Sequence, residues 1–204
     1  MTNADEHLKA VYGAENPEET AQRYNAWAQG YEADMARAGY RHPAIVTALC
    51  ARHLAVGAAP LLDAGAGTGL IGDWLSLLGY PQIEALDVSE GMLGVARQKG
   101  VYSAFHNSAL GQSLPFEDAR FAGIVCAGVF TTGHAGAEAL PELRRCTKEG
   151  GYLILTVKET LWSEALFPSL ASAGLALLET TDPYISMPRE PSTSPSRAVV
   201  LKPA

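Results

Sequence analysis

Ten residues constrain this chain more than any others: Leu61-Leu62-Asp63-Ala64-Gly65-Ala66-Gly67-Thr68-Gly69-Leu70. Two apolar residues lead into an acid, glycines follow at alternate positions, and a helical apolar stripe begins at Leu70. The pattern predicts a buried strand, a tight turn and a helix start. Glycine in such a turn takes positive φ and lets a ligand lie against the backbone without a Cβ clash. The helix behind it offers free N–H groups and the positive end of its dipole. Strand, glycine turn and helix together specify an α/β domain with a ligand crevice at the carboxyl ends of parallel strands.

The glycines stand at 65, 67 and 69. This G-x-G-x-G spacing differs from the G-x-G-x-x-G fingerprint that seats a pyrophosphate. Asp63, expected to face the crevice, points the same way. A carboxylate repels a pyrophosphate and attracts an ammonium or sulfonium group. At these residues the chain resembles the class I methyltransferases that use S-adenosylmethionine (SAM) and release S-adenosylhomocysteine. The resemblance implies a Rossmann-like α/β fold: a seven-stranded, mostly parallel sheet with an antiparallel C-terminal strand and helices on both faces. It also implies that Asp63, Ala64, Gly65, Gly67, Thr68 and Gly69 cradle the cofactor.

A second acid, Asp87, ends the apolar run Ile83-Glu84-Ala85-Leu86. It stands 18 residues beyond Gly69 (87 − 69), near the spacing of about 20 at which an acid accepts from ribose hydroxyls. Asp87-Val88-Ser89-Glu90-Gly91-Met92 is similar to the second motif of the same family, which places Val88 and Met92 beside the adenine; Met92 reads equally well as core filler. Ser89 is the expected N-cap of the next helix. Further on, Leu110-Gly111-Gln112-Ser113-Leu114-Pro115-Phe116 resembles the loop that passes the adenine edge. Many relatives carry an acid where Leu110 stands, so recognition here falls to the backbone of Leu110 and Gly111, with Asn107 and Ser108 as poorer side-chain substitutes. Residues 121–128 read as the fourth strand, its end (Cys126, Ala127, Gly128) lining the methionine part of the cofactor. Further strands are expected at 101–106, 152–157, 175–179 and 197–201. A helix over 161–173 should kink at Pro168.

The expected organisation is a loose lead-in over residues 1–16 and one methyltransferase domain over 17–204. Within it, residues 17–40 form an N-terminal lid helix started by Pro17 and its acids. Tyr24, Trp27 and Tyr31 fall on one helical face. This segment resembles the tyrosine- and tryptophan-rich lid of small SAM methyltransferases; the same stripe is also what a core-facing helix shows. Together with Tyr40-Arg41-His42-Pro43 and Pro141-Glu142-Leu143, it gives the nearest likeness, to the methyltransferase-like proteins of the Williams–Beuren syndrome region.

A formal charge of −7 with no long basic run argues against a nucleic-acid partner, whose backbone is bound through lysine and arginine. The longest apolar region is interrupted by Arg52 and His53, so no membrane span is expected. No signal peptide is evident at the acidic start, and a cytoplasmic monomer or homodimer is expected. Cys50, Cys126 and Cys146 are widely spaced and suggest neither a disulfide framework nor a metal site. Methyl transfer from a sulfonium requires a base only when the acceptor must lose a proton. His134 is the candidate base, set against an ordinary loop histidine, with His106 a poorer candidate. The expectation is a SAM-dependent methyltransferase acting on O, N or S of a small-molecule acceptor. The alternatives are a nicotinamide-dependent oxidoreductase on the same architecture and a non-catalytic SAM-binding protein.

Overall fold

The computed structural model describes residues 3–14, 16–131, 134–190 and 193–204. Parts of the expected 1–16 lead-in, of the His134 loop (Thr132 and Gly133) and of the 188–195 link fall outside these residues. At the centre lies β1 (Leu61–Ala64), every residue of which is buried. It pairs in parallel with β2 (Ile83–Asp87) on one side and β4 (Phe121–Phe130) on the other. Beyond them lie β3 (Ala104–Asn107), β5 (Thr147–Lys158), β6 (Leu175–Thr180) and β7 (Ser196–Pro203), in the order β3-β2-β1-β4-β5-β7-β6. Only β7 runs antiparallel, wedged between β5 and β6. The chain leaves β1 toward β2 and later returns to β4 on β1's other side, so the strand order reverses beside β1. An open α/β sheet binds its ligand at that reversal. The crevice therefore opens across β2, β1 and β4, wider than a cleft between the first two strands.

Two apolar layers cover the sheet. One holds Leu62, Phe121, Ile124, Leu153 and Leu155 together with α7 (Leu140–Cys146). The other holds Leu61, Ile83, Val125 and Ile154 against α4 (His42–His53) and α5 (Leu70–Leu77). All three cysteines are buried thiols.

Several boundaries differ from expectation for physical reasons. Part of the lead-in is helical, α1 (Asn3–Tyr12). Val11 is buried and His7 stacks on Trp27 at 4.9 Å, so packing on the neighbouring helices holds this segment. The lid is two helices, α2 (Pro17–Trp27) and α3 (Tyr31–Ala38), broken by a turn in which the Gly30 N–H bonds the Trp27 carbonyl at 2.9 Å. The third strand starts late because Tyr102 turns inward beneath the glycine loop. The helix expected at 161–173 runs instead as α8 (Glu159–Leu161), a π turn (Trp162–Leu166) and α9 (Phe167–Ser169). The π turn closes with the Phe167 N–H on the Trp162 carbonyl, immediately before Pro168, which has no N–H to donate.

Candidate functional site

A cavity of about 350 Å³ lies over the carboxyl ends of β1, β2 and β4. Its floor is built from Gly65 and Gly67 after β1, Asp87 and Val88 at the end of β2, and Ala127 to Val129 in β4. Met92 and Leu110 form one end; Tyr24, Tyr31 and His134 stand at the lid. Two glycines have distinct tasks. A Cβ on Gly65 would lie 2.2 Å from Val129 Cγ2, so only hydrogen lets the loop leave β1 against β4. Gly67 has φ +54° and no heavy atom within 4 Å of where its Cβ would point. The open side there is the cavity, and the left-handed backbone disfavours any side chain.

Asp87 pins this loop. Its Oδ2 accepts from the Gly67 N–H at 2.8 Å and its Oδ1 from the Ser89 N–H at 2.8 Å. The Gly65 and Ala66 N–H groups both bond the Leu86 carbonyl. Burial raises the Asp87 carboxyl above its ordinary value, opposed by the amides of Ser89, Gly67 and Val88. Each carboxylate oxygen has a second acceptor lobe, so a diol can still bind there. Ser89 caps α6 (Glu90–Gln98), accepting from the Met92 N–H at 3.1 Å.

The other expected cradle residues sit behind the cavity rather than in it. Asp63 is fully buried, and its Oδ2 accepts from the Tyr102 hydroxyl at 2.6 Å, so the expectation that its carboxylate faces the crevice is corrected. Burial pushes the Asp63 carboxyl up to about 7; the Tyr102 hydroxyl opposes this and the charge of Asp87 adds to it. Ala64 and Cys126 point into the apolar layer against α7, following the period-two alternation of their strands. Thr68 is buried and Gly69 caps α5 with left-handed φ, both off the cavity wall. Gly111 faces Glu138, so of the pair expected at the adenine edge only Leu110 reaches the cavity. Ser108 and Ala109 line it beside Leu110, whereas the Asn107 amide is spent on the Asp87 and Val88 carbonyls.

The aromatic stripe divides between the two roles left open for it. Tyr24 and Tyr31 line the cavity. Trp27, 2% exposed, is the core of the lid; its indole N–H donates to Asp34 at 2.7 Å. The Tyr24 hydroxyl lies 3.0 Å from His134 Nε2, so the lid meets the loop after β4 across the mouth. Asn25 is a residue that sequence reasoning missed. Asn25 Oδ1 accepts from the Ser89 hydroxyl at 2.8 Å and the Gly91 N–H at 2.7 Å, fastening α2 to the start of α6. A Cβ on Gly91 would come within 2.9 Å of Asn25. The glycine in Ser89-Glu90-Gly91 was the available sign of that close approach.

No helix of the described residues is long and apolar enough to cross a membrane. The family model described as a methyltransferase domain matches residues 62–155. Methyltransferase-like protein 27 from Homo sapiens is 32% identical over 155 residues, covering 74% of this chain. The chain spans 62% of that relative's length. Among solved structures, the putative methyltransferase in complex with the Haloferax volcanii Trm112 activator superposes with a TM-score of 0.68 at 19% identity, covering 89% of this chain and 98% of its own. The [4+2]-cyclase SpnF gives 0.64 at 18% identity, covering 79% and 81%. A cyclase on this fold shows that the fold does not fix the reaction. The sheet order and the glycine turn agree with the matched domain: residues 62–155 match a methyltransferase domain family, and the fold is the Rossmann-like one shared with solved SAM-dependent methyltransferases.

Proposed function

We propose that the chain transfers the SAM methyl group to a nucleophilic O, N or S atom of a small-molecule acceptor. The observation that carries this is the roofed cavity. Its volume falls within the range of about 300–1,000 Å³ typical of small-molecule sites, and α2 and α3 lie across it. A roof of this kind suits an acceptor that can be enclosed rather than the surface of a macromolecule.

The residues present fit the cofactor. The open face of Gly67 leaves room where a side chain would intrude. Asp87 offers acceptor lobes for two ribose hydroxyls, and Met92 and Leu110 give apolar walls for a planar base. Gly65 and Ala127 would flank the aminoacyl arm. Asp63 acts from behind, holding the strand end through Tyr102. When bound, SAM supplies a methyl already activated on a sulfonium, which an acceptor lone pair takes in one in-line displacement, releasing S-adenosylhomocysteine. The protein's own task is to align the acceptor and exclude water. Tyr24 and Tyr31 cover the acceptor side. His134, at the mouth and against the Tyr24 hydroxyl, is placed to receive a proton from an acceptor that must lose one.

The test is release of S-adenosylhomocysteine from the full chain with SAM and a panel of small phenols, amines, thiols and acids. Turnover with one class supports the proposal. Tight SAM binding with no release from any class would favour a binding protein, and NAD(P) binding in place of SAM the oxidoreductase.

A further inference from the structure

A second, smaller chamber adjoins the cavity and shares Tyr24, Tyr31 and Gly128 with it as walls. It lies over the ends of β4 and β5, and its polar lining includes Tyr40, His42, Thr131, Thr156, Lys158 and Ser196. Its volume is about 30 Å³. A water needs about 10–15 Å³ of such space, so the chamber admits a small group and not a whole molecule.

Its chemistry is lopsided. No Asp or Glu appears among the described lining residues. Lys158 donates to the Ser194 carbonyl at 3.0 Å and makes no ion pair among the described residues. Burial lowers its ammonium below the ordinary lysine value. His42 is buried, with Nδ1 2.7 Å from the Tyr184 hydroxyl. Burial, and then the charge of Lys158, push its imidazole down to about 3, so it adds no charge near neutral pH. Ser196, 1% exposed, carries a buried hydroxyl with no hydrogen-bond partner among the described residues. Leaving a cation half out of water without a counter-charge, beside an unused hydroxyl, costs stability unless an anion arrives. Thr156 is already engaged, accepting from the Gly128 N–H at 2.8 Å.

We propose that this chamber is a carboxylate subsite. Lys158 and Ser196 hold the acid group of the methyl acceptor, and the rest of the acceptor extends past Tyr24 and Tyr31 toward the larger cavity. The inference deepens the proposed function and names its acceptor class as small organic acids. An acceptor so anchored is methylated at an atom away from the carboxylate, because the carboxylate sits behind the tyrosine wall.

The experiment is calorimetric titration of the full chain with benzoate and phenylacetate and with their neutral carboxamides, at constant ionic strength, with and without SAM. Saturable carboxylate binding is expected, with carboxamides at least tenfold weaker. Lys158→Met should lower carboxylate affinity at least tenfold and Ser196→Ala several-fold, with SAM affinity unchanged in both. Carboxamides binding as tightly as carboxylates would overturn the subsite, as would both variants matching the wild type. So would the absence of carboxylate binding in a chain that binds SAM. A chain that binds carboxylates through Lys158 but not SAM would keep the subsite and remove the proposed function.

Discussion

Replacing Asp63 by Asn should change how stability depends on pH, because this carboxyl is buried with no cation against it among the described residues. Its folded value is about 7 against an ordinary 3.8. The folded state therefore holds a proton that the unfolded state releases between about pH 4 and pH 7. Stability from this group is fully present below pH 3.8 and is lost as pH rises toward and through 7. Linkage over those two values gives a loss of about 2–3 kcal/mol between pH 5 and pH 8. Asparagine keeps an oxygen for the Tyr102 hydroxyl, now 2.6 Å from Oδ2, and has no charge to desolvate. Urea unfolding at pH 5, 6, 7 and 8 measures the effect. Asp63→Asn should remove about 2–3 kcal/mol of the wild-type decline, and taking the difference between the two chains cancels the other groups. Parallel pH profiles for the two chains would refute a proton-holding Asp63.

Gly67→Val should fold with a stability loss of about 1–3 kcal/mol, since its left-handed φ opposes a β-branched residue, and should lose SAM binding; a folded variant with normal affinity would contradict the cradle. Asp87→Ala should weaken SAM by about 1–3 kcal/mol, roughly 5- to 150-fold, by removing charge-assisted acceptors; the check is a dissociation constant from equilibrium titration. Asn25→Ala should free α2 from Ser89 and Gly91 at about 1–2 kcal/mol, seen as faster hydrogen exchange over residues 17–38, with exchange in β1 and β4 unchanged.

Much of the fold was legible because its centre is strongly patterned. Buried parallel strands read as apolar runs, and the glycine turn fixes where β1 ends. Asp87 was singled out by its spacing beyond Gly69 and by the motif it opens, and its bonds to Gly67 and Ser89 hold it at the cavity floor. Asp63 was misdirected because a strand-end acid in sequence has no visible partner; Tyr102, 39 residues later, supplies one. Trp27 could not be separated from Tyr24 and Tyr31, since helical spacing gives a face and not what the face meets. The helix α1 was missed for the opposite reason: its support is tertiary, His7 and Val11 against the lid. The proposed carboxylate subsite gathers residues from 8 to 196, and no local motif marks such a set.

Titration of SAM into the full chain beside Gly67→Val tests the central claim most directly. One saturable site per chain, displaced by S-adenosylhomocysteine and missing from the folded variant, is the expected result. Saturable NAD(H) binding with no heat from SAM would contradict it.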